Sequence, residues 1–391
     1  MRGALVLGAT LAACYAPNPQ PGAPCANGAC PTGLVCSPAT NTCERTASDA
    51  PGPTIDARVI DAASPDGTGA TSSDARTCYG SGLLSICPNV MPSAPLQITA
   101  NTTIDTQASS LCAAYTGTNA GAYCVLVGTS ISVAASLTLR ATGTRPLVLL
   151  STSTVTIDGT LDVSAGAGAN PATCVAGGAP TGSQGGPGGS FSGRGGSGGG
   201  ELTGLGPAAA SATTTIAFHG GCRGGNGAGA TPGTGGSGGG AVYVIAASSI
   251  TITGSINASG APGAGAAVSA GGGGGGAGGF IGLDAPTVSS TGSLFANGGG
   301  GGEGATPHSP GLDGAASASA TAAGGGGGGS APHGGDGGAG SVGSNRAGAD
   351  GQPGAQCGQN AQSGGGGGGA AGMIYTYPAQ TLAGQVSPPR S

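Results

Sequence analysis

One template recurs four times along the chain, at Pro146 to Val163, Ala241 to Ala258, Gly279 to Ala296 and, in decayed form, Ala371 to Val386. Each copy is a short apolar run, a small polar turn, an alternating stretch, a glycine, and a second short alternating stretch. The clearest instance reads Ala241-Val-Tyr-Val-Ile245, then Ile250-Thr-Ile252-Thr-Gly254-Ser-Ile256-Asn-Ala258. In every copy the first residue and the central glycine (Gly159, Gly254, Gly292, Gly384) stand 13 positions apart. Period-two alternation in Val, Ile, Thr and Leu marks strands with one buried face. A strand-turn-strand block of this size cannot bury its apolar side alone and must stack on the next copy. The sequence therefore predicts an all-β fold, a parallel β-helix or β-solenoid with long glycine-rich insertions. A β-sandwich fits the strand count and turn spacing too and is the competing architecture. Ile131-Ser-Val133 with Leu137-Thr-Leu139 reads as an earlier, degenerate rung of the same stack.

Glycine fills the gaps between copies. It supplies 90 of 391 residues, against 4 Phe, 7 Tyr and no Trp, too little bulk for an ordinary large core. Long helices are disfavoured, because each glycine costs a helix about 1 kcal/mol. The tracts run from about 166 to 240, 260 to 279 and 297 to 369, and the runs Gly271 to Gly276 and Gly364 to Gly369 lead almost directly into proposed solenoid strands. Glycine lets backbones approach closely, so the tracts can pack as extended, polyproline-II-like strands bonded main chain to main chain. Solvated loops are the other reading, although loops this long are uncommon in compact domains. Composition leaves both open.

Charge narrows the partners. The charged fraction is 6%, the net charge −5, and all ten basic residues are arginines scattered along the chain. A nucleic-acid groove needs clustered cations, so nucleic acid is not an expected partner. The twelve cysteines suit an oxidising compartment, where disulfides compensate for a thin core.

Export is readable at the N-terminus. Met1-Arg2, an apolar run from Gly3 to Ala9, and Leu11-Ala12-Ala13-Cys14 form a short signal with a small-residue cleavage site ending in cysteine. This resembles the lipobox of bacterial lipoproteins. The resemblance implies a signal peptide over 1–13, a diacylglycerol thioether on Cys14, and a lipid-anchored, exported protein at the outer membrane or cell surface. The apolar run is too short to span a bilayer, which takes ~20 residues.

Cys25, Cys30, Cys36 and Cys43 follow among Gly, Pro and Asn. Together with Cys14 they define a segment, 14–45, similar to EGF-like or Dickkopf-type cysteine-rich modules, with three connectivities open. Zinc is not expected, since no His lies nearby. Residues 46–76, with spaced Asp among Ala, Pro, Ser and Thr, read as a disordered linker, of roughly 30 Å root-mean-square reach. The glycine-rich β-solenoid domain spans 77–391. Within it Cys78, Cys87, Cys112 and Cys124 are expected to pair among themselves and clamp an N-terminal cap. A bridge between Cys174 and Cys222 would enclose about 49 residues and contribute roughly 4 kcal/mol in the chain-entropy model. With Cys14 lipidated, eleven thiols remain, so one is free or intermolecular; that one is Cys357 if Cys174 pairs with Cys222, and another if the partners differ.

The sequence carries no recognisable catalytic pattern. His219, His308 and His333 stand isolated, no nucleophile elbow precedes a helix, and a phosphate-binding Gly-Lys-Ser cannot exist without Lys. Asp158 and Asp162 are matched in later copies by Thr253 with Asn257 and Thr291 with Phe295, so carboxylates do not repeat from coil to coil. No enzyme, metal or cofactor is therefore expected. In composition the body is similar to the mycobacterial PE-PGRS surface proteins, and it resembles glycine-rich lipoproteins of environmental bacteria; both likenesses imply surface display. The expected function is a structural or adhesive surface lipoprotein, with the membrane as partner through its lipid, and matrix, polysaccharide or other cells as candidate contacts. The alternatives are a carbohydrate-active β-helix enzyme and, from the Thr/Ser alternation at Thr152 to Thr156 and Thr251 to Thr253, an ice- or surface-binding protein.

Overall fold

A computed structural model of the chain describes residues 25, 30, 34–37, 42–44, 77–164, 166–213, 216–327, 334–354 and 362–391. Leu11 to Cys14, the 46–76 linker, His333 and Cys357 lie outside the described residues. The chain divides into two compact units, Met1–Ser72 and Ser73–Ser391.

In the first unit β1 (Val35–Ser37) and β2 (Thr42–Glu44) form an antiparallel pair that sets Cys36 opposite Cys43. Disulfides join Cys25 to Cys36 and Cys30 to Cys43.

The second unit is a parallel β-solenoid. Its first coil holds β3 (Leu96–Ile98) and β4 (Thr102–Asp105), followed by a single helical turn, α1 (Ser110–Ala113), capped by the Ser109 side chain. The next coil is β5 (Cys124–Gly128), β6 (Ile131–Val133) and β7 (Thr138–Thr142), and the next β8 (Leu147–Ser151), β9 (Thr154–Ile157) and β10 (Thr160–Asp162). After β11 (Gly229–Thr231) come β12 (Ala241–Ala246), β13 (Ser249–Ile252) and β14 (Ser255–Asn257). After β15 (Val268–Ala270), antiparallel to β11, come β16 (Phe280–Asp284), β17 (Thr287–Ser290) and β18 (Ser293–Phe295). The stack ends with β19 (Met373–Tyr377) and β20 (Gln385–Ser387). Three parallel sheets result, in the orders β5-β8-β12-β16-β19, β3-β6-β9-β13-β17 and β4-β7-β10-β14-β18-β20.

Side-chain direction explains the stack. Val155, Ile250 and Val288 pile up inside, as do Leu139, Leu161, Ile256 and Leu294, and all are buried. The sheet containing β12 is buried on both faces: Val242 and Val244 point into the solenoid, while Ala241, Tyr243 and Ile245 belong to a second core outside it. A strand with two buried faces reads as a continuous apolar run. That costs the sequence its register signal, and in this sheet the template slips by one residue. Ala241 pairs with Phe280, not Gly279, and Phe280 pairs with Met373, not with Gly372 as the template alignment implies. The shift sets Ile281 and Leu283 over Val242 and Val244. The template's second half keeps its register, because its central glycines stack: a Cβ on Gly254 would sit 1.9 Å from the Gly159 carbonyl oxygen, and one on Gly292 2.0 Å from that of Gly254.

Among the described residues the glycine tracts are largely not loops. They form a second hydrogen-bonded body built on a three-residue period, that of a polyproline-II helix. The segment Gly271 to Gly279 is its clearest strand. N–H groups of Gly271, Gly274 and Ala277 donate to Ala228, Gly225 and Cys222; those of Gly272, Gly275 and Gly278 to Gly364, Gly367 and Ala370; those of Gly273, Gly276 and Gly279 to Ala264, Ala261 and Ala258, all at 2.7–3.0 Å. In return its carbonyls accept from Gly233, Gly236 and Gly239, from Gly186 and Gly189, and from Gly302 and Gly299. Three faces of one extended strand therefore engage six neighbouring segments. Gly364 to Ala370 is enclosed in the same way, donating to Ser183, Gly186 and Gly189, to Gln352 and Ala349, and to Gly302 and Gly299. Both segments run without a break into β16 and β19, so the bundle lies against the outer face of the doubly buried sheet.

Candidate functional site

The middle sheet turns one face to solvent, and that face is a lattice of hydroxyls. Ser132, Thr156, Thr251 and Ser289 form one column across β6, β9, β13 and β17; Thr154, Ser249 and Thr287 form a second. These side chains are half-buried or exposed while their strand neighbours Val155, Ile157, Ile250 and Ile252 are fully buried. Strand geometry fixes the repeat at about 4.8 Å between strands and about 6.7 Å along one. Across the glycine turn a third column, Thr138, Thr160, Ser255 and Ser293, continues the pattern, with the Ser255 hydroxyl donating to Thr160 at 3.1 Å. Neither column of the middle sheet carries a charge or an aromatic ring.

The acids near the first glycine turn are engaged in local contacts. Asp158 accepts from the Thr253 hydroxyl at 2.6 Å, and Asp162 lies 3.6 Å from the Arg140 guanidinium in a surface pair, an arrangement of small energetic consequence. The register sets Asp162 beside Asn257 and Asn257 beside Phe295.

A different carboxylate holds the cap. Asp284, at the end of β16, is 5% exposed and accepts from the N–H groups of Ser81 and Gly82 at 2.9 and 2.8 Å and from the Tyr243 hydroxyl at 3.3 Å. The same Tyr243 oxygen accepts from the Leu83 N–H at 3.0 Å. The segment so clasped is the loop closed by the Cys78–Cys87 disulfide, and it covers an aromatic group comprising Tyr123, Phe218, Tyr243, Phe280 and Tyr375. Burial, and then the Asp284 charge, push the Tyr243 phenol well above its ordinary value; Tyr375 is raised by the same two causes. Sequence reasoning missed Asp284 because its ligands are main-chain amides some two hundred residues away, which leave no residue-type signal.

The predicted cysteines fall as follows. Cys112 bonds Cys124, tying α1 to the start of β5, and Cys174 bonds Cys222, tying two glycine-tract segments together. Among the described residues the one group of metal-ligating side chains is Cys25, Cys30 and Cys36, and all three sulfurs are in disulfides. The described histidines serve locally. The His219 ring donates from Nδ1 to the Gly220 carbonyl at 2.7 Å and lies 4.8 Å from the Phe191 ring, whereas His308 is exposed in a turn held by Thr306.

No family model matches the chain, and neither a curated protein nor a solved structure matches it. Among the described residues no helix is long and apolar enough to cross a membrane.

Proposed function

We propose that this is an exported surface protein with a structural or adhesive role and no catalytic activity, anchored by lipid on Cys14 and displayed at the cell surface. The observation that supports this best is the glycine bundle. The main-chain groups of its inner strands are consumed in one continuous network, and the outer faces it shares with the solenoid carry hydroxyls and glycine backbone rather than a cleft of ionisable groups. Such a body resists proteolysis and offers large uncharged faces for contact with matrix, polysaccharide or other cells. Five disulfides among the described residues accord with folding outside the cytoplasm. The test is metabolic labelling with radioactive palmitate combined with protease shaving of whole cells. The wild-type chain should carry label and be cut at the surface, and Cys14→Ala should lose both label and cell adhesion. A wild-type chain that stays unlabelled and soluble in the periplasm would contradict the reading.

The hydroxyl lattice favours a second reading, binding to ordered water or ice. Rigid, uncharged hydroxyl columns with strand-set spacing fit a crystalline surface, and thermal hysteresis of the purified protein tests this directly.

A further inference from the structure

The segment 222–228 is a strand of the glycine bundle with one face left open. Its three faces are offset by single residues. On the first, Gly224 and Gly227 donate to Gly236 and Gly233; on the second, Gly225 and Ala228 donate to Pro187 and Gln184 at 2.7 and 3.0 Å. On the third, the N–H groups of Arg223 and Asn226 have no acceptor among the described residues. These two residues line a groove of about 460 Å³, with Pro187 on its floor and the segment Ala176 to Pro180 as its other wall. That second wall is equally unpaired toward the groove, since Gly178 donates away from it, to Ala208 at 2.8 Å. The Arg223 guanidinium turns aside toward Asn226 Oδ1 and the Gly235 carbonyl, at 3.4 and 3.5 Å, and leaves the groove itself clear.

We infer that this groove binds an extended, glycine- and proline-rich polypeptide strand of another molecule, which enters as an additional strand of the bundle. The lane continues an interface already built, because every other face of 222–228 is filled by a strand of this kind. Donors at Arg223 and Asn226 recur every three residues, about 9.3 Å apart along a polyproline-II strand, and so match the carbonyl repeat of that conformation alone. Close approach selects the composition. Where strands of this bundle touch, a Cβ would lie about as near as 2.0 Å to a neighbouring carbonyl oxygen, as at Gly274 over Pro187, so the guest needs glycine at the packed positions. Proline elsewhere supplies rings to lie on Pro180 and Pro187 without needing a hydrogen-bond acceptor. The mode is the polyproline counterpart of strand addition to a sheet edge. It rests on the adhesive reading and names its partner as a matrix polypeptide in this conformation.

The test is fluorescence anisotropy with the full-length protein and a labelled Gly-Pro-Gly repeat peptide of about twelve residues, which spans ~37 Å as polyproline II. Saturable binding is expected. Ala179→Trp, which fills the groove from an exposed position, should weaken it at least tenfold. Asn226→Pro deletes one N–H donor while keeping the extended backbone, and should bind about fivefold more weakly than Asn226→Ala, which keeps the N–H; a single neutral hydrogen bond accounts for that ratio. The comparison isolates the main-chain donor from any structural effect of losing the Asn226 side chain. Four results would overturn the inference: no saturable binding, equal binding by Ala179→Trp, equal binding by the two Asn226 variants, or displacement of the peptide by a β-linked oligosaccharide. Self-association that Ala179→Trp abolishes, without peptide binding, would make a second copy the occupant and overturn it as well. Failure of peptide binding with palmitate labelling and cell adhesion intact would leave the adhesive reading standing.

Discussion

At the level of single residues, the glycines separate into those that the packing requires and those it tolerates. A Cβ on Gly275 would lie 2.0 Å from the Gly299 carbonyl oxygen, whereas one on Gly324 would meet no atom within 4 Å. Gly275→Ala should therefore destabilise the protein by about 3 kcal/mol or more, and Gly324→Ala should raise stability by about 0.5 kcal/mol through the unfolded chain. Thermal unfolding of the two variants side by side checks the contrast. Asp284→Ala strips the acceptor from two cap amides and should cost about 2 kcal/mol, with hydrogen exchange quickening first at Ser81 and Gly82. Tyr243 gives a pH signature. Its proton is held more tightly folded than unfolded, so its contribution is fully present below the ordinary tyrosine value of ~10 and is lost as pH rises beyond it. Alkaline unfolding followed by tyrosinate absorbance should begin above that value, and Tyr243→Phe should shift the onset.

Elements differ in how much of themselves the sequence exposes. The strands β9, β10, β13 and β14 were legible because one face meets water, so alternation survives in Thr154-Val-Thr-Ile157 and Ser255-Ile-Asn257. The same alternation pointed to the hydroxyl columns. In β16 both faces are buried, alternation disappears, and the register slipped by one residue. The rung of β3 and β4 went unnoticed, since three or four residues bounded by polar turns carry little periodicity. Glycine tracts left two readings open, yet a deciding pattern lies in them. Unbroken runs at Gly271 to Gly276, Gly298 to Gly302 and Gly364 to Gly369 are strands packed on three faces, while triplets with every third residue larger, as at Arg223 and Asn226 or Thr234 and Ser237, are strands with a free face. The number of glycines per turn of three counts the packed faces. At this level the Cys174–Cys222 bridge is the main covalent restraint, and replacing both cysteines by Ala should lower stability by roughly 4 kcal/mol, read as a drop in melting temperature that leaves the far-ultraviolet strand signal intact.

For the solenoid-containing unit as a whole, two kinds of order are joined through one sheet. The solenoid buries Val, Ile and Leu in stacked columns, and the glycine bundle, almost without side chains, replaces apolar burial with a main-chain network, in which the N–H groups of its inner strands, such as Gly271 to Gly279, each find a carbonyl. The two share strands, because Gly271 to Gly279 and Gly364 to Gly372 become β16 and β19. That continuity explains how a chain with so few aromatic residues holds its hydroxyl and glycine faces in fixed geometry, as the proposed structural or adhesive role would require. Native-state hydrogen exchange of the amides from Gly271 to Gly279 is the most direct measurement of it. If the bundle is as ordered as the solenoid, these amides are protected to the same degree as those of β12 and exchange only with global unfolding. Exchange at the rate of a free glycine peptide, while β12 remains protected, would show that no such bundle exists.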